Sequence, residues 1–261
     1  MAISPAELDD LRLAKGLLEN PGLAAKVSSV VGAPIEKGLE MLPKRWKPMV
    51  LSATRKSIET ALDVAVGTID SESTRAPADW WHKLAVGATG AAGGAFGLVA
   101  LAIELPVSTA IMLRSIADIA RSEGEDILTP AVRLECIQVL ALGGETPKDD
   151  AAETGYFAAR AAMAKAVSEA VQYIARRGIA DKGAPAIVRL ITAVASRFSV
   201  TVSEKVAAQA IPVVGALGGA FINTLFMDHF QRMARGHFIV RRLERIHGLD
   251  AVKRAYEELR P

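Results

Sequence analysis

Hydrophobic side chains recur along most of this chain at the three- and four-residue spacing that marks one face of an α-helix. The first such stripe begins after Ser4, where Ser4 and Glu7 have the spacing of a capping box and Pro5 suits the first helical position. A longer amphipathic helix is predicted from Pro48 to about Asp70, with inward apolar positions at Val50, Leu51, Ile58, Leu62, Val66 and Ile69. No convincing run of alternating apolar and polar residues predicts a strand, so the pattern indicates an all-α fold.

Proline and the capping residues predict where these helices begin and end. Pro34, Pro43 and Pro48 divide the chain after the first helix into short pieces, and Pro106 is expected to interrupt a later apolar run. In the second half, Pro130 follows Thr129 at a helix start. The segment from Pro185 to about Phe198 then forms a helix of its own, because Thr201 and Glu204 repeat the capping-box spacing and predict a new start.

Two segments, residues 84–103 and 206–227, carry no charge and share a short repeat. Gly90–Phe96 and Gly215–Phe221 agree at six of seven positions. Small residues four apart flatten one face of a helix and let a second backbone approach closely. The sequence therefore predicts a multi-helix bundle around two Ala/Gly-rich central helices that contact each other through Gly90, Gly93, Gly94, Gly97, Gly215, Gly218 and Gly219.

The environment of these two segments has two interpretations. In one they cross as a buried hairpin at the centre of the bundle. In the other they face lipid, since their lengths of 20 and 22 residues reach what a bilayer-spanning helix needs. Alanine and glycine add little insertion energy, however, so the composition favours reversible or shallow membrane association over permanent spanning.

The charge of the chain is small overall but uneven. A net charge of +2 gives no indication of nucleic-acid binding, whereas residues 181–261 hold 12 basic and 7 acidic groups. Basic residues next to a membrane are attracted to anionic head groups. The candidate contacts to an anionic surface are Arg232, Arg235, Arg241, Arg242 and Arg245.

Signatures of catalysis or of metal and cofactor binding were sought and none was found. The chain has no phosphate-binding loop of the G-x-x-x-x-G-K-[ST] type, no H-E-x-x-H and no G-x-S-x-G. His229 and His237 are eight residues apart, which places them about 80° apart around a helix, too far for an easily shared metal. The single cysteine, Cys136, lies in an apolar helical pattern and is expected to be buried. No catalytic residue, cofactor or metal is predicted.

Glu104 is the only charged residue between Leu84 and Leu113. A buried carboxylate needs a partner or a proton. We expect either a structural ion pair with an arginine such as Arg114 or Arg133, or a functional carboxylate that senses protons or binds a polar group.

One block of sequence resembles a known family. Residues 104–120, which read ELPVSTAIMLRSIADIA, together with 132–135, 140–144 and 202–209, are similar to the bacterial EcsC family, and the similarity extends over roughly residues 15 to 255. This family is named from a gene beside an ABC exporter. The resemblance implies a bacterial origin and a role associated with transport, and it supplies no catalytic residues.

Taken together, these observations predict a single helical domain over residues 1–261, with an N-terminal part at 1–79 and a core with the central helices and the basic C-terminal helix at 80–261. The expected function is that of a membrane-associated, non-enzymatic accessory protein of transport or secretion. It would lie in the cytoplasm against the inner face of the cytoplasmic membrane, with lipid or a membrane protein, such as an ABC transporter, as its partner. The alternative is a membrane-surface hydrolase that uses Glu104 and a histidine as acid and base.

Overall fold

Within the described residues of the computed structural model, all regular structure is helical and no strand is present. These residues are 3–19, 23–31, 34–67, 94–142, 155–177, 183–211 and 219–259. The helices are α1 (Pro5–Leu18), α2 (Leu23–Val31), α3 (Ile35–Glu40), α4 (Trp46–Gly67), α5 (Gly94–Ser122), α6 (Pro130–Leu142), α7 (Gly155–Arg177), α8 (Pro185–Ala210), α9 (Gly219–His247) and α10 (Leu249–Glu258). The all-α prediction is confirmed.

Helix α8 lies among most of the others, since α2, α3, α4, α6, α7 and α9 all pack against it. Its apolar residues join those of α4, α5, α6 and α9 in the main core. A second, smaller group of buried residues, here called the satellite cluster, joins α1, α7, α9 and α10; it consists of Leu11, Ala14, Tyr156, Phe157, Ile239, Val240, Leu243, Val252 and Tyr256. The two clusters give the chain two separate sources of apolar stabilisation.

The local start signals of two helices are confirmed. The Ser4 hydroxyl accepts from the Glu7 backbone N–H, and the Glu7 carboxylate accepts from the Ser4 backbone N–H at 2.8 Å, which completes the capping box. Thr129 precedes α6 and its hydroxyl accepts from the Val132 N–H at 3.4 Å. Both signals act within four residues, so they do not depend on tertiary context.

Two predicted helix boundaries are wrong. Helix α5 continues through Pro106. The missing proline N–H leaves the carbonyl of Ala102 without its helical donor, but Ala102 is exposed, so water can take that place. Helix α8 likewise continues through Thr201, which is fully buried in the helix interior and caps nothing. Packing on neighbouring helices overrides both local signals.

Of the six predicted inner positions of α4, burial is described for four, and three of these agree with the sequence; the Val66 side chain and Ile69 lie outside the described part of the chain. Val50, Ile58 and Leu62 are buried, whereas Leu51 is exposed. The buried stripe instead includes Thr54 and Ser57, whose hydroxyls donate to the carbonyl one turn earlier in the same helix. Small hydroxyl residues satisfied in this way can occupy core positions that a purely apolar pattern does not reveal.

Close backbone approach is seen at two glycines that the repeat did not indicate. A Cβ on Gly38 of α3 would lie 2.0 Å from the carbonyl oxygen of Ala207 in α8. A Cβ on Gly236 of α9 would lie 2.6 Å from Cγ of Leu18 in α1. A Cβ at either position would clash with the neighbouring helix, so the packing favours glycine there.

Candidate functional site

Glu104 forms an ion pair that joins two helices. Its Oε1 accepts from Nζ of Lys205, on α8, at 2.7 Å. The Lys205 side chain is fully buried, whereas the Glu104 side chain is 23% exposed. Nζ also lies 4.9 Å from the ring centroid of Phe226 on α9, so the ammonium is stabilised by both a carboxylate and an aromatic face.

The cation that pairs with Glu104 differs from the expected one. The sequence analysis named Arg114 or Arg133, but Arg114 is exposed and Nε of Arg133 donates to the Ile127 carbonyl. Lys205 lies 101 residues from Glu104 in the chain. No local pattern in the sequence relates the two residues, since only the packing of α5 on α8 brings them together.

The outer face of α5 changes character along the helix. Over residues 103–111, in the middle of the helix, the face is apolar: Ile103 is 72% exposed, and Val107, Ala110 and Ile111 are half-buried. One turn later the same face becomes charged, with exposed side chains at Arg114, Asp118 and Arg121. A helix face that changes from apolar to charged within a few turns matches a boundary between an apolar environment and water.

Three of the five predicted anionic-surface arginines take part in ion pairs within the fold. The other two are Arg232, which is half-buried, and Arg235, which is exposed. The ion pairs connect α9 to α1, to α6 and to the turn after α5; they join Arg241 to Glu125 and Glu135 at 2.8 and 3.1 Å, Arg242 to Asp10 and Glu123 at 2.6 and 3.0 Å, and Arg245 to Glu125. The role of these arginines at an anionic surface stays a prediction, and in the folded state it rests mainly on Arg232 and Arg235.

A buried hydrogen-bonded chain runs from α7 through α9 to α6. The Tyr156 hydroxyl lies 2.9 Å from Nδ1 of His237, and Nε2 of His237 lies 3.2 Å from Oε2 of Glu135. Burial lowers the pKa of His237. The ring is therefore neutral at pH 7; we assign the Nε2–H tautomer, in which Tyr156 donates to Nδ1 and His237 donates to Glu135.

The protonation states of Tyr156, His237 and Glu135 indicate that these hydrogen-bonded side chains have a structural role. Burial raises the pKa of Tyr156, so its hydroxyl stays protonated. For Glu135, burial alone would raise the pKa, but the hydrogen bond from His237 and the charge of Arg241 outweigh it and lower the pKa to about 2. The ionised carboxylate, the neutral imidazole and the phenol are thus fixed in one protonation state at neutral pH. Such an arrangement holds three helices together and leaves no activated nucleophile.

Cys136 and His229, which the sequence analysis also considered, are buried in the helical packing. Cys136 is buried, as predicted, and burial raises the pKa of its thiol to about 12. His229 is buried with its ring edge against Phe230. Over the stretches of chain that the structure describes, no cluster of three or more His, Cys, Asp or Glu side chains could hold a metal ion.

The predicted contact between the two glycine-rich segments lies largely outside the described residues. Gly90, Gly93, Gly215 and Gly218 fall there. Gly94 and Gly97 belong to the first turn of α5, and Gly219 begins α9. Helices α5 and α9 do pack against each other. A contact made by the glycines themselves stays a prediction.

One helix among the described residues, α8, is long and apolar enough to cross a membrane by length and composition. Within its most apolar window, 44% of the residues are buried in the fold. Core helices of soluble proteins satisfy the same criterion, so α8 is only a weak indication of membrane association.

The fold and its contacts define a helical-bundle protein with long-range buried ion pairs. The chain belongs to the EcsC protein family, whose family model matches residues 17–243. This match confirms the resemblance found in the sequence. Searches of curated proteins and of solved structures give no match.

Proposed function

We propose that this protein is a non-enzymatic accessory protein of bacterial transport or secretion that associates with the inner face of the cytoplasmic membrane. The observation that carries the proposal is the apolar stretch of the outer face of α5 at residues 103–111, in which the single charge, Glu104, is neutralised by the buried Lys205. Membership of the EcsC family supports the transport association. The partner would be lipid or the apolar surface of a membrane protein, such as an ABC transporter.

Neutralisation of Glu104 makes this face compatible with an apolar environment. An unpaired carboxylate is costly near hydrocarbon. Here the Lys205 ammonium lies 2.7 Å from the carboxylate and has no exposed surface of its own, so the pair adds no net charge to the face. The neighbouring Ile103 is the most exposed large hydrophobic side chain of the described residues. Exposed apolar side chains that adjoin a charged boundary are typical of a membrane or partner contact.

The hydrolase alternative paired Glu104 with an unspecified histidine, and the contacts of Glu104 and His237 give no support for that pair. Glu104 contacts Lys205, and His237 is bonded to Tyr156 and Glu135. An acid and a base that act together must be within reach of the same substrate atoms. The contacts of Glu104 and His237 lie in different parts of the helical packing, which favours the accessory role.

Fractionation of cells that express matched variants tests the proposal. We expect the wild-type protein to sediment with membranes and to be released by carbonate or detergent. Ile103→Asp should move the protein to the soluble fraction, because it places a charge in the apolar face. Leu128→Asp is the matched control, since Leu128 is 60% exposed in the turn between α5 and α6. A wild-type protein that is soluble before any wash, or two variants that fractionate alike, would contradict the proposal.

A further inference from the structure

Helix α1 lies on the outside of the helical packing and is joined to it through the satellite cluster. Leu11 and Ala14 are fully buried there, against α9 and α10. Neither residue belongs to the main core, against which α1 packs through the partly buried Leu18 at its end. The EcsC family model begins at residue 17, so nearly all of α1 precedes the matched region.

Carboxylates of α1 contact Arg242 and His247 of α9. Asp10 accepts from Nη2 of Arg242 at 2.6 Å, and Glu7 lies 2.9 Å from Nε2 of His247. On its other side, Nη1 of Arg242 lies 3.0 Å from Oε2 of Glu123, close enough for an ion pair although that oxygen accepts no hydrogen bond. Asp10 occupies the nitrogen that faces α1. An anionic oxygen of another kind could take the position of Asp10.

The face of α9 beneath α1 is both basic and apolar. It includes Arg242 and His247 together with Ile239 and Leu243 of the satellite cluster, and Gly236 forms a close contact with Leu18 of α1. A helix face with this composition binds at the interface of an anionic membrane, where apolar side chains enter the acyl boundary and basic groups meet phosphates.

We propose that α1 is an autoinhibitory strap, whose release exposes this face of α9 to an anionic phospholipid surface. The inference rests on the proposed membrane association. Local opening of α1 is physically reasonable because the Asp10–Arg242 pair is partly exposed, with side chains 46% and 34% accessible, and such pairs contribute little stability. Segments outside the main core open at lower free energy than the core itself. Lys15, which donates to the Tyr256 and Leu259 carbonyls, ties the strap to α10.

Two variants release the strap in different ways. Asp10→Asn removes the contact to Arg242; its charge-matched control is Asp9→Asn, because Asp9 pairs only with Arg12 of α1 among the contacts seen. Gly236→Val leaves the charge unchanged and places a side chain where Leu18 Cγ would be 2.6 Å away. Hydrogen exchange of α1 amides reports whether α1 has been loosened, independently of any membrane.

Binding of each full-length variant to vesicles of phosphatidylglycerol and of phosphatidylcholine is then measured by sedimentation. We expect the variants with an unprotected α1 to bind the anionic vesicles at least about fivefold more tightly than wild type. This is the effect of one additional basic side chain at an anionic surface. Asp9→Asn should bind as wild type does. Adding Arg242→Ala to either releasing variant should remove the gain.

Three results would overturn the inference. One is loss of α1 protection without a gain in anionic-vesicle binding; another is an equal gain for Asp9→Asn, which would indicate a simple effect of net charge. The third is that α1 stays fully protected in both releasing variants, because a strap must be detachable by loss of its contacts. If wild-type protein still sediments with cell membranes in any of these cases, only the strap is wrong. If neither wild type nor any variant binds membranes, the proposed function fails with it.

Discussion

Glu104 and Glu125 both form ion pairs with basic side chains more than a hundred residues away in the sequence. They differ in the number of ion-pair partners. Glu104 pairs with one cation, and that cation, Lys205, is fully buried. Glu125 pairs with Arg241 and Arg245, and Arg241 has a second carboxylate partner in Glu135. The first arrangement is a single pair, whereas the second is a network in which Glu125 and Arg241 each have two oppositely charged partners.

Under the proposed function, this difference separates a structural region from the region that would contact the membrane. The network around Glu125 fixes the end of α9 to the turn after α5 and to α6, and it gains stability from shared partners. The Glu104 pair lies beside the exposed Ile103 and makes a neutral surface out of what would otherwise be a charged one. A buried pair adds little net stability compared with apolar packing, so its value here is the surface that it creates.

Replacement of Glu104 with alanine should have the largest effect on stability. It leaves the buried Lys205 ammonium without its carboxylate, and the loss of one partner of such a pair costs about 3–5 kcal/mol. Chemical denaturation would measure the change in the free energy of unfolding. Asp118→Ala, which removes an exposed carboxylate of the same helix paired with Arg121, should change it by less than about 1 kcal/mol.

The double variant Glu104→Ala with Lys205→Met sharpens this prediction. It removes both charges, and we expect it to recover most of the lost stability because methionine fills the space without an ammonium. A Glu104→Ala variant as stable as Asp118→Ala would show that the lysine finds another way to be neutralised. The single-pair description would then be wrong.

Replacement of Glu125 with alanine should cost less, about 1–3 kcal/mol, which is typical of a buried polar group that loses part of its hydrogen bonding. Arg241 keeps Glu135 at 3.1 Å, and the Arg245 side chain is 39% exposed and can be hydrated. Thermal or chemical denaturation beside Glu104→Ala gives the comparison directly. If Glu125→Ala destabilises more than Glu104→Ala, the network is not redundant.

The smallest expected effect is a pH dependence that arises from His237. Because burial lowers the pKa of His237 below its ordinary value of 6.5, the unfolded chain binds a proton at mildly acidic pH and the folded chain does not. Stability from this group is therefore fully present well above pH 6.5 and is lost as the pH falls below that value. Denaturation of wild type and His237→Gln at several pH values measures the slope. If the free energy of unfolding changes equally with pH in both proteins, groups other than His237 cause the dependence.

Much of the fold follows from local sequence signals. The capping box of Ser4 and Glu7, the start of α6 after Thr129 and the burial of Cys136 each depend on residues within a few positions of one another. The predicted breaks at Pro106 and Thr201 were wrong for a related reason. Local propensity amounts to a few kcal/mol at most, and tertiary packing of a long helix can exceed it.

The partners of the candidate site could not be predicted from local signals. Glu104 was recognised as an isolated charge that needs a partner, yet the choice of Lys205 depends on how α5 packs on α8. The chain from Tyr156 through His237 to Glu135 involves three helices, with separations of 81 and 102 residues along the sequence. Contacts over such distances are determined by the packing of the whole bundle, which no spacing rule for single helices describes.

The most direct test of the central claim maps the outer face of α5 in the presence of membranes. Single cysteines at Ile103, Val107, Arg114 and Asp118 would carry an environment-sensitive fluorophore, while the buried Cys136, with its raised thiol pKa, stays unlabelled. On addition of vesicles we expect the labels at 103 and 107 to shift to the blue and to be quenched by brominated lipid, and those at 114 and 118 to stay in water. Equal responses at all four positions, or none at any, would contradict the account.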